Sequence, residues 1–278
     1  MMPKIPLDQW IEKLVSFLAD NLQFLFDFFK MVIGGAVGAF SWVFHLLPFY
    51  VWIGIFAVIA YLVSRWGLAI FTVIGLLLIE NLGYWDHTMD SLALVVTSTL
   101  ISIIVGLPLG IWCARRDGVR NVLTPILDFM QTMPAFVYLI PAVTFFGLGV
   151  VPGVIASVIF AVPPTIRLTN LGIRQVSAEL VEAADAFGST PGQKLFKIQL
   201  PLAAPTIMAG INQTVMLSLS MVVIASMIGA QGLGADVYKA VTQLKIGEGF
   251  QAGLAVVILA ILLDRLSQGM MKKDKKRR

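Results

Sequence analysis

Cysteine, histidine and charge are all scarce in this 278-residue chain: one cysteine, two histidines, and 13% Asp, Glu, Lys and Arg together. A lone Cys113 excludes an intramolecular disulfide, and His45 and His87 stand apart from any cluster at metal-ligand spacing, so no metal site is expected. There is no GxxxxGK[ST] phosphate loop, and no nucleophile, base or metal constellation that would make an enzyme. The N-terminus, "MMPKIPLDQWIEKLVSFLADNL", lacks the basic patch, unbroken apolar core and small-residue cleavage site of a secretion signal, so no removal is expected. Internal repeats are missing too, as are the paired broken helices of inverted-repeat carriers. A pore made from a unit of this size would then need a second copy.

What is abundant is oil. Hydrophobic residues make up 58% of the chain, far more than a soluble core requires, and apolar runs long enough to span ~30 Å of hydrocarbon recur along it. The reading is an all-α integral membrane protein. Seven stretches qualify as spans: 49–63, 68–83, 92–114, 129–146, 150–165, 206–228 and 249–266. If they simply alternate, Arg65, then Arg115, Arg116 and Arg120, then Arg167, Arg174, Lys194 and Lys197, then the tail "KKDKKRR" all fall on one side. Positive residues gather on the cytoplasmic side of membrane proteins, so the net charge of +4 is read as topology, with no nucleic-acid partner. The tail could also meet anionic lipid.

Ahead of these spans, Trp10, Leu14, Phe17, Leu18, Leu22, Leu25 and Phe29 recur at helical spacing against Asp8, Glu12, Asp20, Gln23 and Asp27. That predicts one amphipathic helix over 7–29, lying in the membrane interface. The next stretch, 31–48, is apolar, short and glycine-rich, compatible with lying on the surface, re-entering or spanning.

One segment interrupts the oil: "VEAADAFGSTPGQKLFKIQLP", residues 181–201. Ser177 can cap a helix whose early carboxylates, Glu179 and Glu182, suit the positive end of its dipole. Gly188 stands where a left-handed C-cap is wanted. Thr190, Pro191 and Gln193 then have the order of a capping box opening a second helix. Pro201, with Pro205 behind it, is expected to stop or kink that helix. Ala183, Ala184 and Ala186 give the first helix a small-residue surface, so the unit reads as a docking element on the basic side. An amphipathic linker is the plainer alternative.

Residues 182–188, "EAADAFG", followed nine residues later by "IQLP", resemble the EAA signature of the membrane subunits of bacterial ABC importers, complete in spacing and identity. Residues 82–95, 124–173 and 211–245 resemble more narrowly the permeases of glycine betaine and related quaternary-amine osmoprotectant importers. The resemblance implies a type I ABC importer permease fold with a five-helix core over 87–270 plus additional N-terminal helices. It divides the chain into an interfacial segment 1–47, two peripheral spans within 48–86, the core with its coupling loop 177–201, and a basic cytoplasmic tail 271–278. It further implies a homodimer in the bacterial cell membrane, cytoplasmic ABC ATPases that bind the ATP and Mg, and an extracytoplasmic substrate-binding protein. No cofactor is expected in this chain. Glycine betaine is the implied cargo, with choline, carnitine and proline betaine as rivals; a channel or carrier independent of ATP is the alternative from another class.

In the same terms, coupling to the ATPase is expected from Glu182, Ala183, Ala184, Gly188, Ile198, Leu200 and Pro201. The residues themselves mark Met133, Pro134, Pro163 and Pro164 as hinge or pathway candidates, since prolines inside spans free carbonyls that need partners. Phe136 and Tyr138 could present ring faces to a quaternary ammonium, or simply pack in the bundle. Asp128 and Asp264, near span ends on the basic side, are expected to be solvated or paired with other helices, Arg265 being adjacent to Asp264 and therefore facing elsewhere.

Overall fold

A computed structural model describes residues 6–276, in which every regular element is helical. The N-terminal pattern makes two helices, α1 (Leu7–Asn21) and α2 (Gln23–Leu46), broken at Leu22 (φ −112°, ψ 16°) where one continuous helix over 7–29 was expected. The break separates a charged, amphipathic piece from an apolar one, so the 3.6-residue pattern that runs through both does not register it.

α2 has the length and apolarity of a span. Its contacts place it otherwise. Phe26 stacks on Phe145 with centroids 4.4 Å apart, a Cβ on Gly34 would meet Val151 at 3.4 Å, and Ser41 donates to Asp90 at 3.0 Å. Those partners all belong to the same end of the bundle, so α2 lies across that end, opposite the basic one. The stretch left open, 31–48, thus packs along its length against that end.

A hairpin follows: α3 (Phe49–Ser64) and α4 (Trp66–Asn81), turning at Arg65. α5 (Trp85–Arg115) is a 31-residue helix that carries Pro108 without breaking. Next, the expected span over 129–146 is replaced by a bent pair. α6 (Asp117–Thr132) ends where Pro134 forces Met133 into extended backbone (ψ 137°), and after a 3₁₀ turn, Ala135–Tyr138, α7 (Leu139–Phe146) leaves at 106° to α6. Proline crowds the helical conformation of the residue before it, and its missing N–H removes the bond that would have held the helix straight.

α8 (Val150–Arg174) runs on past the expected end at residue 165. The polar insertion forms α9 (Ala178–Ala186) and α10 (Pro191–Lys194); α10 passes through a π-helical turn, Leu195–Gln199, straight into α11 (Leu200–Ser226). α12 (Leu233–Thr242) lies at the end opposite the basic one, and α13 (Ile246–Lys276) returns. The side chains of the basic tail, 271–278, lie outside the described residues.

At the centre, α5, α8 and α11 pack on small residues. A Cβ on Gly110 would stand 2.5 Å from the Thr169 Cβ, and one on Gly210 would stand 3.0 Å from the Pro164 carbonyl oxygen, so only glycine allows these backbones to approach. Between membrane helices, where lipid is as apolar as leucine, such close packing and buried hydroxyl bonds supply the association. Thr214 donates to the Ala161 carbonyl at 2.8 Å and pairs with Thr165 at 2.8 Å, both threonines fully buried. α13 adds Ala252, Ala255, Leu259 and Leu262 to the core, and closes on the hairpin where Ile258 meets Gly75.

Candidate functional site

The insertion at the basic end is a braced platform. α9 starts after Ser177, whose side chain makes no capping bond. Its C-terminus is fully capped: with Gly188 at φ +74°, the Gly188 N–H donates to the Asp185 carbonyl and the Ser189 N–H to the Ala184 carbonyl, each at 2.9 Å. That is a Schellman closure, and it needs the left-handed residue. Thr190 and Gln193 form the reciprocal capping box, the Thr190 N–H donating to Gln193 Oε1 at 2.8 Å and the Gln193 N–H to Thr190 Oγ1 at 3.3 Å. Lys194 pairs with Asp185 at 2.5 Å and so ties α10 back to α9.

Two arginines tie helix ends together at this face, one of them holding the unit to a span. Arg115, last residue of α5, donates to the Pro191 carbonyl at 3.1 Å. Arg174, last residue of α8, donates to the Cys113 carbonyl at 2.8 Å and to Asp117 at 2.7 Å. Asp128 is paired with Arg167 at 2.5 Å, and Asp264 accepts from Asn212 at 3.1 Å and from Gln268 at 2.7 Å.

The expected docking residues divide by exposure. Ala184 is buried, as is Leu195 of the π turn, which was not among those expected. Glu182 and Ala183 face outward, while Ile198, Leu200 and Pro201 are half-buried along the π turn and the start of α11. Glu182 falls in the second turn of α9, leaving Glu179 alone in the first turn to meet the helix dipole. Of the two outcomes expected at Pro201, a stop or a kink, the stop does not occur. The residue occupies the first turn of α11, and the preceding wide turn, closed by the Leu200 N–H on the Leu195 carbonyl, takes up the hydrogen-bond register that the proline disturbs. α10 and α11 are therefore one continuous shaft.

Sequence reasoning missed the exposed apolar side chains of this segment: Phe187 is 90% exposed and Phe196 69%, and Leu180 of α9 is exposed as well. A phenylalanine left in water inside a segment otherwise polar was the available signal.

The hinge and pathway candidates do not converge on one site. Met133 and Pro134 form the sharp bend between α6 and α7. Phe136 is exposed, whereas Tyr138 is buried against Leu139, Ala156, Met221 and Ile228 with its hydroxyl donated to the Met130 carbonyl. Tyr138 thus packs in the bundle. Pro163 and Pro164 are buried in α8, against the close approach of α11 at Gly210. Both histidines, given no role from sequence, lie at the opposite end: His45 stands 3.9 Å from Asp86, and His87 stands 2.5 Å from Asp236 and so links α5 to α12.

A bundle of apolar helices with a capped, braced and partly apolar platform at its basic end has the make-up of a membrane transport subunit. The chain belongs to the family of binding-protein-dependent transport system inner membrane components, whose model matches residues 106–273. It is 59% identical to the glycine betaine/carnitine transport permease protein GbuB of Listeria monocytogenes, over 99% of this chain and 98% of that one. It is 55% identical to the glycine betaine transport system permease protein OpuAB of Bacillus subtilis, over 99% and 98% respectively. Among solved structures, an inward-facing MetNI methionine ABC transporter chain superposes with a TM-score of 0.63 at 20% identity, covering 69% of this chain and 95% of that one, which shows the shared fold.

Proposed function

We propose that the chain is the translocating subunit of an ATP-driven importer of glycine betaine or a closely related quaternary-amine solute, driven through residues 177–201. The observation that carries the coupling reading is the continuity of α10, the π turn and α11, braced to α5 by Arg115. A push on α10 is then delivered along α11 as on a rod, while α9 and Arg174 pass it to α8 and α5. Phe187 and Phe196 supply apolar area for the partner's groove, and Glu182 supplies a carboxylate for a basic group there. Gly188, Ala183 and Ala184 set the shape; Ile198, Leu200 and Pro201 transmit it.

The cargo reading rests on the kinship with glycine betaine permeases. The chain performs no chemistry of its own in this scheme. ATP and Mg belong to the cytoplasmic ATPase, capture of the solute to an extracytoplasmic receptor, and the pathway to a pair of these chains. The Met133–Pro134 bend and the buried Pro163–Pro164 pair are the hinges about which α6, α7 and α8 would shift. Labelled glycine betaine uptake by vesicles holding the chain with its ATPase and receptor is the test. ATP-dependent uptake is expected; uptake that persists without the ATPase would replace this scheme by an autonomous channel or carrier.

A further inference from the structure

The turn between α3 and α4 is built on a residue its backbone does not suit. Arg65 has φ +64° and ψ −151°, a region essentially reserved for glycine, while its N–H closes α3 on the Tyr61 carbonyl at 2.9 Å. Its side chain is exposed and makes no hydrogen bond or ion pair among the described residues. A glycine would make the same turn without strain, so what arginine adds is its guanidinium.

Next to it, Tyr61 and Trp66 pack edge to face with centroids 4.9 Å apart, both exposed. From this pair a wholly apolar groove of about 410 Å³ runs along the hairpin between Ala57 and Val58 of α3 and Ala69, Ile70, Val73 and Ile74 of α4. Each helix has 16 residues, ~24 Å at 1.5 Å per residue, short of the ~30 Å hydrocarbon thickness. Because the hairpin is shorter than the hydrocarbon is thick, its turn sits at the inner edge of the headgroup layer, where tyrosine and tryptophan collect and from which the long Arg65 side chain reaches out to the lipid phosphates.

We propose that Arg65 and this groove form a binding site for one anionic phospholipid. An acyl chain lies in the groove, and the guanidinium takes the headgroup phosphate with two parallel N–H donors. The site stands at the basic end, facing the leaflet richest in anionic lipid. The site rests on the membrane placement of the chain and is independent of what the chain transports.

Native mass spectrometry tests it on the full chain with its ATPase, released from nanodiscs of phosphatidylethanolamine doped with phosphatidylglycerol. Arg65→Gly is expected to lower retained phosphatidylglycerol about fivefold, the weight of one basic residue at the surface. Thermal stability should hold or rise, because glycine suits the turn. Ala57→Phe, which fills the groove, is expected to lower retention of both lipids. Unchanged phosphatidylglycerol in both variants overturns the site. So does an altered chain stoichiometry in Ala57→Phe with lipid counts unchanged, which would assign the groove to a second protein copy. Failed glycine betaine uptake would count against the transport reading alone, since lipid counts are read separately.

Discussion

Gly188→Val isolates the shape of the platform from everything else in it. A Cβ at Gly188 meets nothing within 4 Å, so the substitution causes no collision and its whole cost is the left-handed backbone at φ +74°. That cost is about 1 to 2 kcal/mol for a residue with a Cβ. If the ATPase binds the capped form alone, docking weakens by the same amount, roughly 5- to 30-fold. The alternative for the chain is to unwind the cap, which gives up the paired Gly188–Asp185 and Ser189–Ala184 bonds at 2.9 Å and swings α10 away from Lys194's partner. Gly188→Asn serves as the control, because asparagine tolerates this conformation; it should dock within about twofold of the parent. The assay is titration of purified ATPase against each variant in nanodiscs, normalised to membrane-inserted chain. Equal affinity for Gly188→Val and the parent would refute the argument that turn geometry governs docking.

Phe187→Ser should weaken ATPase binding tenfold or more in the same titration, since burying a phenylalanine is worth ~1.5 to 3 kcal/mol, and membrane insertion should not change. Ser91→Ala removes the hydroxyl that accepts the Leu233 N–H at 2.8 Å at the start of α12. An orphaned buried donor costs ~1 to 3 kcal/mol, so the melting temperature should fall and amide exchange in α12 should rise. The Tyr84 phenol is pushed above its ordinary range, first by burial and then by Asp236 and Glu248. With the folded-state value raised, its contribution is intact below pH ~10 and is lost as pH climbs beyond. Tyr84→Phe should therefore flatten any alkaline loss of stability in that window and change nothing at neutral pH.

Much of this architecture was legible because each feature has a local cause. Gly188 and the Thr190–Gln193 box declare themselves within a few residues, and both form as read. The basic residues sort the turns correctly for the same reason. What escaped depends on partners distant in sequence. α2 passes every test for a span, and only Phe145, Val151 and Asp90, brought to one end by three other helices, show that it lies across the bundle. The 129–146 stretch is apolar enough to read as one helix, yet Pro134 bends it through 106°, because a mean hydropathy says nothing about a missing N–H. Pro201 is the converse case: a stop or a kink was expected, and the helix does not stop there. The proline's lost hydrogen bond is absorbed by a π turn just ahead of it, a device that carries no signature in composition.

The positive charges mean more in space than on the sequence. By count they fix sidedness; by position, Arg115 ties the platform to α5, Arg174 ties α8 to α5 and α6, and Lys194 ties α10 to α9 within the platform. Exposed ion pairs are worth at most ~1 kcal/mol each, so these do little to keep the protein folded. Their effect is on direction. Arg115 meets a carbonyl of α10 and Arg174 a carbonyl of α5, and a guanidinium bound at fixed distance stops one helix end from sliding past another. With α10 and α11 already one shaft, the ends of α5, α8 and α11 have to move together when the platform is pushed. Those three helices are also the ones whose backbones touch through Gly110 and Gly210, so the tightest packing in the bundle continues directly from the braced end. In the proposed scheme, a rearrangement begun at the basic end would reach the middle of the membrane through these close contacts.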